Sequence, residues 1–255
     1  MNMHDRFRLD GKVAVVTGGG RGIGRGIALA FADCGADVIV VARRQADVDA
    51  VAAEIEERGR RGLGVSADVM DFTAIPKVLD RVVEDFGGLD IMVNNAGGNL
   101  DRKMYALPDI SIEKFDEQLA LNMKTKFWGS QQAAKRMRDG GRIINIISTA
   151  AHQASPGFGV YSAANMGMIS MTRTLATELA PKRITVNCLA PGVIVTDMLV
   201  ETLHISREEA HETFAAQIPL GRTGTPEDCG AAAVFFASPA AEWTTGQFIN
   251  VAGGP

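Results

Sequence analysis

Thr17-Gly18-Gly19-Gly20-Arg21-Gly22-Ile23-Gly24 decides the fold of this chain. The apolar run before it, residues 12–16, reads as a strand. From Ile23 onward the apolar residues recur at helical spacing, so the glycines occupy a strand-to-helix turn. Glycine lets such a turn be tight and brings the backbone close to a pyrophosphate, which the free N–H groups of the helix N-terminus then hold. The spacing is Gly18-x-x-x-Gly22-x-Gly24, outside the G-x-G-x-x-G register. Placement after the first strand, rather than the bare pattern, carries the reading.

Outward from this turn, short apolar runs alternate with helical patterns to the end of the chain. The runs cover 12–16, 37–41, 62–65, 89–93, 142–147, 184–189 and 247–251, and most are rich in Val and Ile at successive positions. That texture predicts strands covered on both faces, as in a parallel sheet. Helices are predicted over 23–34, 46–58, 75–86, 112–137, 162–179 and 226–237. Within the second, Val48, Val51, Ala52 and Ile55 line one face opposite Asp49, Glu54, Glu56 and Glu57. Thr225 and Pro226 mark the start of the last. Such alternation builds an α/β, Rossmann-like doubly wound sheet of about seven parallel strands. No linker, repeat or low-complexity tract interrupts it, so residues 1–255 read as a single domain. One long stretch, about 191–223, is expected to be a substrate loop with a helix near 206–217.

Composition narrows the classes of partner. Hydrophobic residues make up 46% and charged residues 22%, which excludes disorder as the main state. The 26 Lys and Arg against 30 Asp and Glu leave a net charge of -4, which argues against nucleic acid or an anionic membrane surface. No apolar run approaches the ~20 residues of a membrane span, and the charged N-terminus lacks the core of a secretion signal. Cys34, Cys188 and Cys229 are isolated, without disulfide or metal spacing, so a reducing cytoplasmic setting is expected. His4, His152, His204 and His211 show no ligand spacing either, and no metal site is expected. Among them His152 is the one to watch, four residues after Ser148.

The ordered motifs resemble the short-chain dehydrogenase/reductase family, and in particular its 3-oxoacyl-carrier-protein-reductase-like members. Thr17-Gly18-x-x-x-Gly22-x-Gly24 is followed by Asn94-Asn95-Ala96-Gly97, Asn122, Ser148, Tyr161, Pro191-Gly192 with Thr196, Gly246-Gln247 and Gly253-Gly254. The resemblance implies a nicotinamide cofactor held by Gly18, Arg21, Gly22, Ile23, Gly24, Asp68, Val69, Asn95, Ala96, Gly97, Tyr161, Asn165, Pro191, Gly192 and Thr196. An acid closing the second strand would bind the ribose of NAD; Ala42 stands there, followed by Arg43 and Arg44, and arginine suits a 2′-phosphate. NADP(H) is therefore expected over NAD(H). The resemblance also implies a homo-oligomer, tetramer or dimer.

Hydride delivery to a ketone builds alkoxide charge, so an acid must donate a proton. By resemblance Tyr161 is that acid, Ser148 holds the substrate oxygen and Asn122 supports a proton relay. A lysine four residues after the tyrosine lowers its pKa and binds ribose in the family. Here that residue is Asn165, which can bind ribose but brings no charge. Three readings follow: another cation substitutes, with Lys126 and Lys124 nearest along the helix; the enzyme is slow or works at high pH; or the chain is an NADP-binding sensor or scaffold. The first two give an oxidoreductase interconverting a small-molecule ketone and a secondary alcohol. Met198, Leu199 and Leu203 offer such a substrate an apolar wall.

Overall fold

In the computed structural model residues 2–99 and 103–254 are described, Thr202 by its backbone alone. Among them, seven parallel strands form one sheet: β1 (Val13–Thr17), β2 (Asp37–Ala42), β3 (Gly62–Ser66), β4 (Leu89–Asn94), β5 (Met137–Ile146), β6 (Thr185–Pro191) and β7 (Phe248–Val251). Their order is β3-β2-β1-β4-β5-β6-β7, as expected of a doubly wound sheet. The order reverses between β1 and β4, and the loops leaving these two strands open the crevice in which such sheets take ligands. The helices are α1 (Gly22–Asp33), α2 (Gln45–Glu56), α3 (Ala74–Phe86), α4 (Ile112–Leu119), α5 (Thr125–Ala134), α6 (Gly159–Leu179), α7 (Asp197–Leu203), α8 (Arg207–Ala215) and α9 (Pro226–Ala237).

Both faces of the sheet are covered, which explains the unbroken apolar strands. Ala14 and Val16 of β1 pack with Ile27, Phe31 and Phe236 on one face, while Val13 and Val15 pack with Leu79, Val82 and Ala133 on the other. Each fully buried Val or Ile adds about 1.5–3 kcal/mol of transfer free energy. A polar ladder also crosses the interior. Asn94 Nδ2 donates to Ser130 Oγ at 3.0 Å and to Asn145 Oδ1 at 2.9 Å; Asn145 Nδ2 donates to Thr172 Oγ1 at 3.0 Å, which lies 3.1 Å from Cys188 Sγ.

Two expectations are corrected. The helix predicted over 112–137 is three pieces, α4, a π turn at Ala120–Lys124 and α5, ending at Ala134 so that Met137 opens β5. The Thr125 N–H reaches the Ala120 carbonyl, five residues back, so one extra residue enters the turn that carries Asn122. The stretch 191–223 holds α7 as well as α8. Thr196 caps α7 by accepting from the Leu199 N–H, and His204, left-handed at φ 55°, ends it after seven residues.

Candidate active site

The glycine turn is rigid because its neighbours lock it. Thr17 Oγ1 accepts the N–H groups of Asn95 at 3.0 Å and Ala96 at 3.2 Å, and Asn95 Nδ2 donates to the carbonyls of Thr17 at 3.0 Å and Gly18 at 3.1 Å. The loops after β1 and β4 are thus one unit. Gly18 is left-handed at φ 64°, and a Cβ on Gly24 would lie 2.3 Å from the Gly18 carbonyl oxygen. Arg21, the N-cap of α1, makes no side-chain cap, and the first turn carries no acid, so no side chain competes for the anion-binding end of α1. Thr196 packs beside Gly22, and Gly192 donates to the Val251 carbonyl at 3.0 Å.

The basic residues separate. Arg44 pairs with Asp47 at 2.6 Å and Arg21 lies 3.7 Å from Glu201 of α7, whereas Arg43 is exposed with no ion pair among the described residues. Asp68 closes an Asx turn, its Oδ1 accepting from the Met70 N–H at 2.9 Å.

Ser148 follows β5 in extended backbone and caps the turn Thr149–His152. Tyr161 lies in the first turn of α6, and Asn165 is one turn on, on the same face. Burial pushes the Tyr161 hydroxyl above the usual tyrosine range, while the Ser148 and Asn165 side chains, both within its reach, pull it back. Among the described residues no charged group, Lys124 and Lys126 included, contributes to that balance. Lys124 instead lies over the Phe72 ring at 4.6 Å. Asn165 is fully buried; its Nδ2 donates to the Tyr161 carbonyl at 2.8 Å and its Oδ1 has no partner. Asn122, also fully buried, clamps the loop after β4: Oδ1 accepts the Gly98 N–H at 2.8 Å and Nδ2 donates to the Gly98 carbonyl at 2.9 Å.

Lys126 is the residue whose placement the sequence concealed. It is 3% exposed, and burial pushes its ammonium down to about 8. The unfolded chain therefore binds more protons than the folded one between about pH 8 and the usual lysine value, so stability rises with pH across that window. Lys126→Met is expected to stabilise the protein by about 1–3 kcal/mol at neutral pH, the gain fading by about pH 10, as urea unfolding at several pH values would read. Thr17, which read only as a strand end, was also missed as the hub joining the two loops. His152 turns away to β7, its Nε2 3.2 Å from Asn250 Nδ2. Met198 lies against Gly98, and Met104 and Leu107 against Gly157 and Gly159, which gives the mouth an apolar rim. Among the described residues no group of three or more metal-ligating side chains occurs, and no helix is long and apolar enough to cross a membrane.

Comparison with known proteins bears on this arrangement. A family model described as enoyl-(acyl carrier protein) reductase matches residues 18–255. The chain is 40% identical to an uncharacterized oxidoreductase of Mycobacterium tuberculosis, over 98% of this chain and 94% of that protein. It is 39% identical to a versicolorin reductase of Emericella nidulans, over 100% and 99%. The crystal structure of a short chain dehydrogenase from Burkholderia cenocepacia in complex with NADP superposes with a TM-score of 0.87 at 36% identity, over 97% and 98% of the two chains. These relatives bear the names of redox enzymes, and a sensor or scaffold role finds no support among them.

Proposed function

The chain belongs to the short-chain dehydrogenase/reductase family, and from that premise we propose that it reduces a ketone to a secondary alcohol with NADPH, Tyr161 being the proton donor. The observation that carries this reading is the Tyr161 hydroxyl, within reach of Ser148 and Asn165, in a fold whose glycine turn is locked to the loop after β4. Expected in a ketone panel is NADPH oxidation that depends on both protein and ketone; its absence with every ketone would overturn the reading.

The residues fit a dinucleotide. The uncapped start of α1 and the close packing of Gly24 on Gly18 leave a cradle that side chains would fill. The orphaned Asn165 Oδ1 is an acceptor suited to a ribose hydroxyl. When bound, the nicotinamide supplies the hydride. Ser148 holds the substrate carbonyl, Tyr161 donates the proton to the forming alkoxide, and Asn122 keeps the Gly97–Gly98 backbone in place. Arg43, paired with no carboxylate among the described residues, supports a 2′-phosphate. Arg43→Ala is expected to weaken NADPH binding by about 10- to 100-fold and to leave NADH nearly unchanged, by fluorescence titration. Equal effects on both cofactors would remove the preference for NADP(H).

Because burial raises the Tyr161 hydroxyl and no cation among the described residues favours its anion, the acid form dominates at neutral pH. Reduction, which needs that form, is expected to hold level across neutral pH. Alcohol oxidation, which needs the tyrosinate, is expected to climb with pH through and beyond the ordinary tyrosine range. A kcat/KM profile in both directions checks this, and oxidation peaking at neutral pH would contradict it. The apolar rim of Met104, Leu107 and Met198 favours a hydrophobic ketone. Exposed Ile112, Phe115 and Met166 on α4 and α6 support a dimer or tetramer, read by light scattering, and the family premise supports a cytoplasmic setting.

A further inference from the structure

Lys126 is an ammonium placed where packing favours an apolar side chain. Desolvating it without a counter-charge is costly, and no carboxylate among the described residues pairs with it. Among the titratable groups of the described residues, the Cys188 thiol of β6 favours its charge, and Tyr161 of α6 takes no part. Its neighbours Thr17, Val69, Ile75, Asn94 and Ala96 line one small cavity with it and carry no charge. Its direction is defined by Gly97. A Cβ built on that glycine would lie 3.2 Å from Lys126 Nζ and 3.0 Å from Asn122 Oδ1. The ammonium therefore faces the Ala96–Gly97 backbone, on the loop that Thr17 and Asn95 join to the glycine turn, and Gly97 leaves that approach open.

We infer that Lys126 is a cofactor-binding residue, its ammonium donating to oxygens of the dinucleotide beside Gly97 and supplying from α5 the cationic contact that neutral Asn165 cannot. This rests on the dinucleotide reading above and deepens it. Lys126 contributes to affinity for the cofactor, and Tyr161 keeps its raised pKa. The role fits the burial: an ammonium paired with no carboxylate among the described residues would gain an oxygen partner from the dinucleotide.

The test needs no turnover. NADPH and NADH are titrated into the wild type, Lys126→Met and Lys126→Gln by fluorescence. Calorimetry near pH 8, in two buffers of different ionisation enthalpy, counts the protons exchanged. Lys126→Met is expected to weaken both cofactors by about 10- to 100-fold, with Lys126→Gln between it and the wild type. Because a new anionic or hydroxyl partner favours the ammonium, the wild type is expected to take up a fraction of a proton per NADPH bound, and Lys126→Met to take up none. An ADP arm, lacking the nicotinamide and its ribose, separates the two ends: weakened dinucleotide binding with intact ADP binding places the contact on the nicotinamide ribose. Weakening shared equally by ADP places it on the pyrophosphate side. Folded variants that bind both dinucleotides within twofold of the wild type, with unchanged proton uptake, would overturn the inference and leave the reductase reading intact. A wild type that binds neither dinucleotide would overturn both.

Discussion

Tyr161→Phe is expected to lower kcat for ketone reduction by about 100- to 10,000-fold while leaving NADPH affinity within a few-fold of the wild type. The substitution removes one oxygen. The ring keeps its place in the first turn of α6, against Phe158 with centroids 6.3 Å apart, so the fold and the cradle are undisturbed. What disappears is the only acid among the three side chains brought together there, since Ser148 and Asn165 are far weaker proton donors. Steady-state kinetics beside a fluorescence titration separates the two quantities. Turnover within tenfold of the wild type would show that the proton comes from elsewhere, and Tyr161 would become a packing residue.

Gly24→Ala is the second large effect. The added methyl would lie 2.3 Å from the Gly18 carbonyl oxygen and 2.6 Å from Asn95 Nδ2. Neither neighbour is free to retreat: Gly18 is fixed at φ 64° and Asn95 is held on two carbonyls. Overpacking of this kind costs about 1–3 kcal/mol of stability. The adjustment falls on the turn that receives the pyrophosphate, so NADPH affinity is expected to drop by about 100-fold or more, since the charged hydrogen bonds there are lost together. Gly59→Ala is the control, at a left-handed glycine (φ 73°) with nothing within 4 Å. It is expected to lose a little stability and no affinity. Equal NADPH binding in Gly24→Ala and wild type would mean that the cofactor does not use this turn.

The strands were legible because burial on both faces leaves a run such as Val13 to Val16 with no polar alternation to confuse it. The π turn was not, because Leu121 and Met123 continue the apolar pattern across it; an inserted residue changes hydrogen bonding without changing composition. Helix α7 was hidden by its length, seven residues being too few to show a period. In the site, Ser148, Tyr161 and Asn165 were legible through their order along the chain, and the structure places their side chains within reach of one hydroxyl. Lys126 was not: Lys124 and Lys126 differ by two positions on a helix, and only the packed structure shows which is inside.

The buried ladder from Asn94 to Cys188 has a consequence for how the chain assembles. Ile143, Ile144 and Ile146 are nearly interchangeable as apolar surface, so a sheet that pairs β4, β5 and β6 by hydrophobicity alone has little to distinguish one alignment from the next. A slip of one residue turns every side chain of a strand to the opposite face. Here such a slip of β5 would carry Asn145 away from Asn94, Ser130 and Thr172 at once, stranding several buried polar groups. The ladder therefore acts as a lock on alignment during folding. Its correct closure also sets the height at which Ser148, three residues beyond Asn145, emerges beside Tyr161.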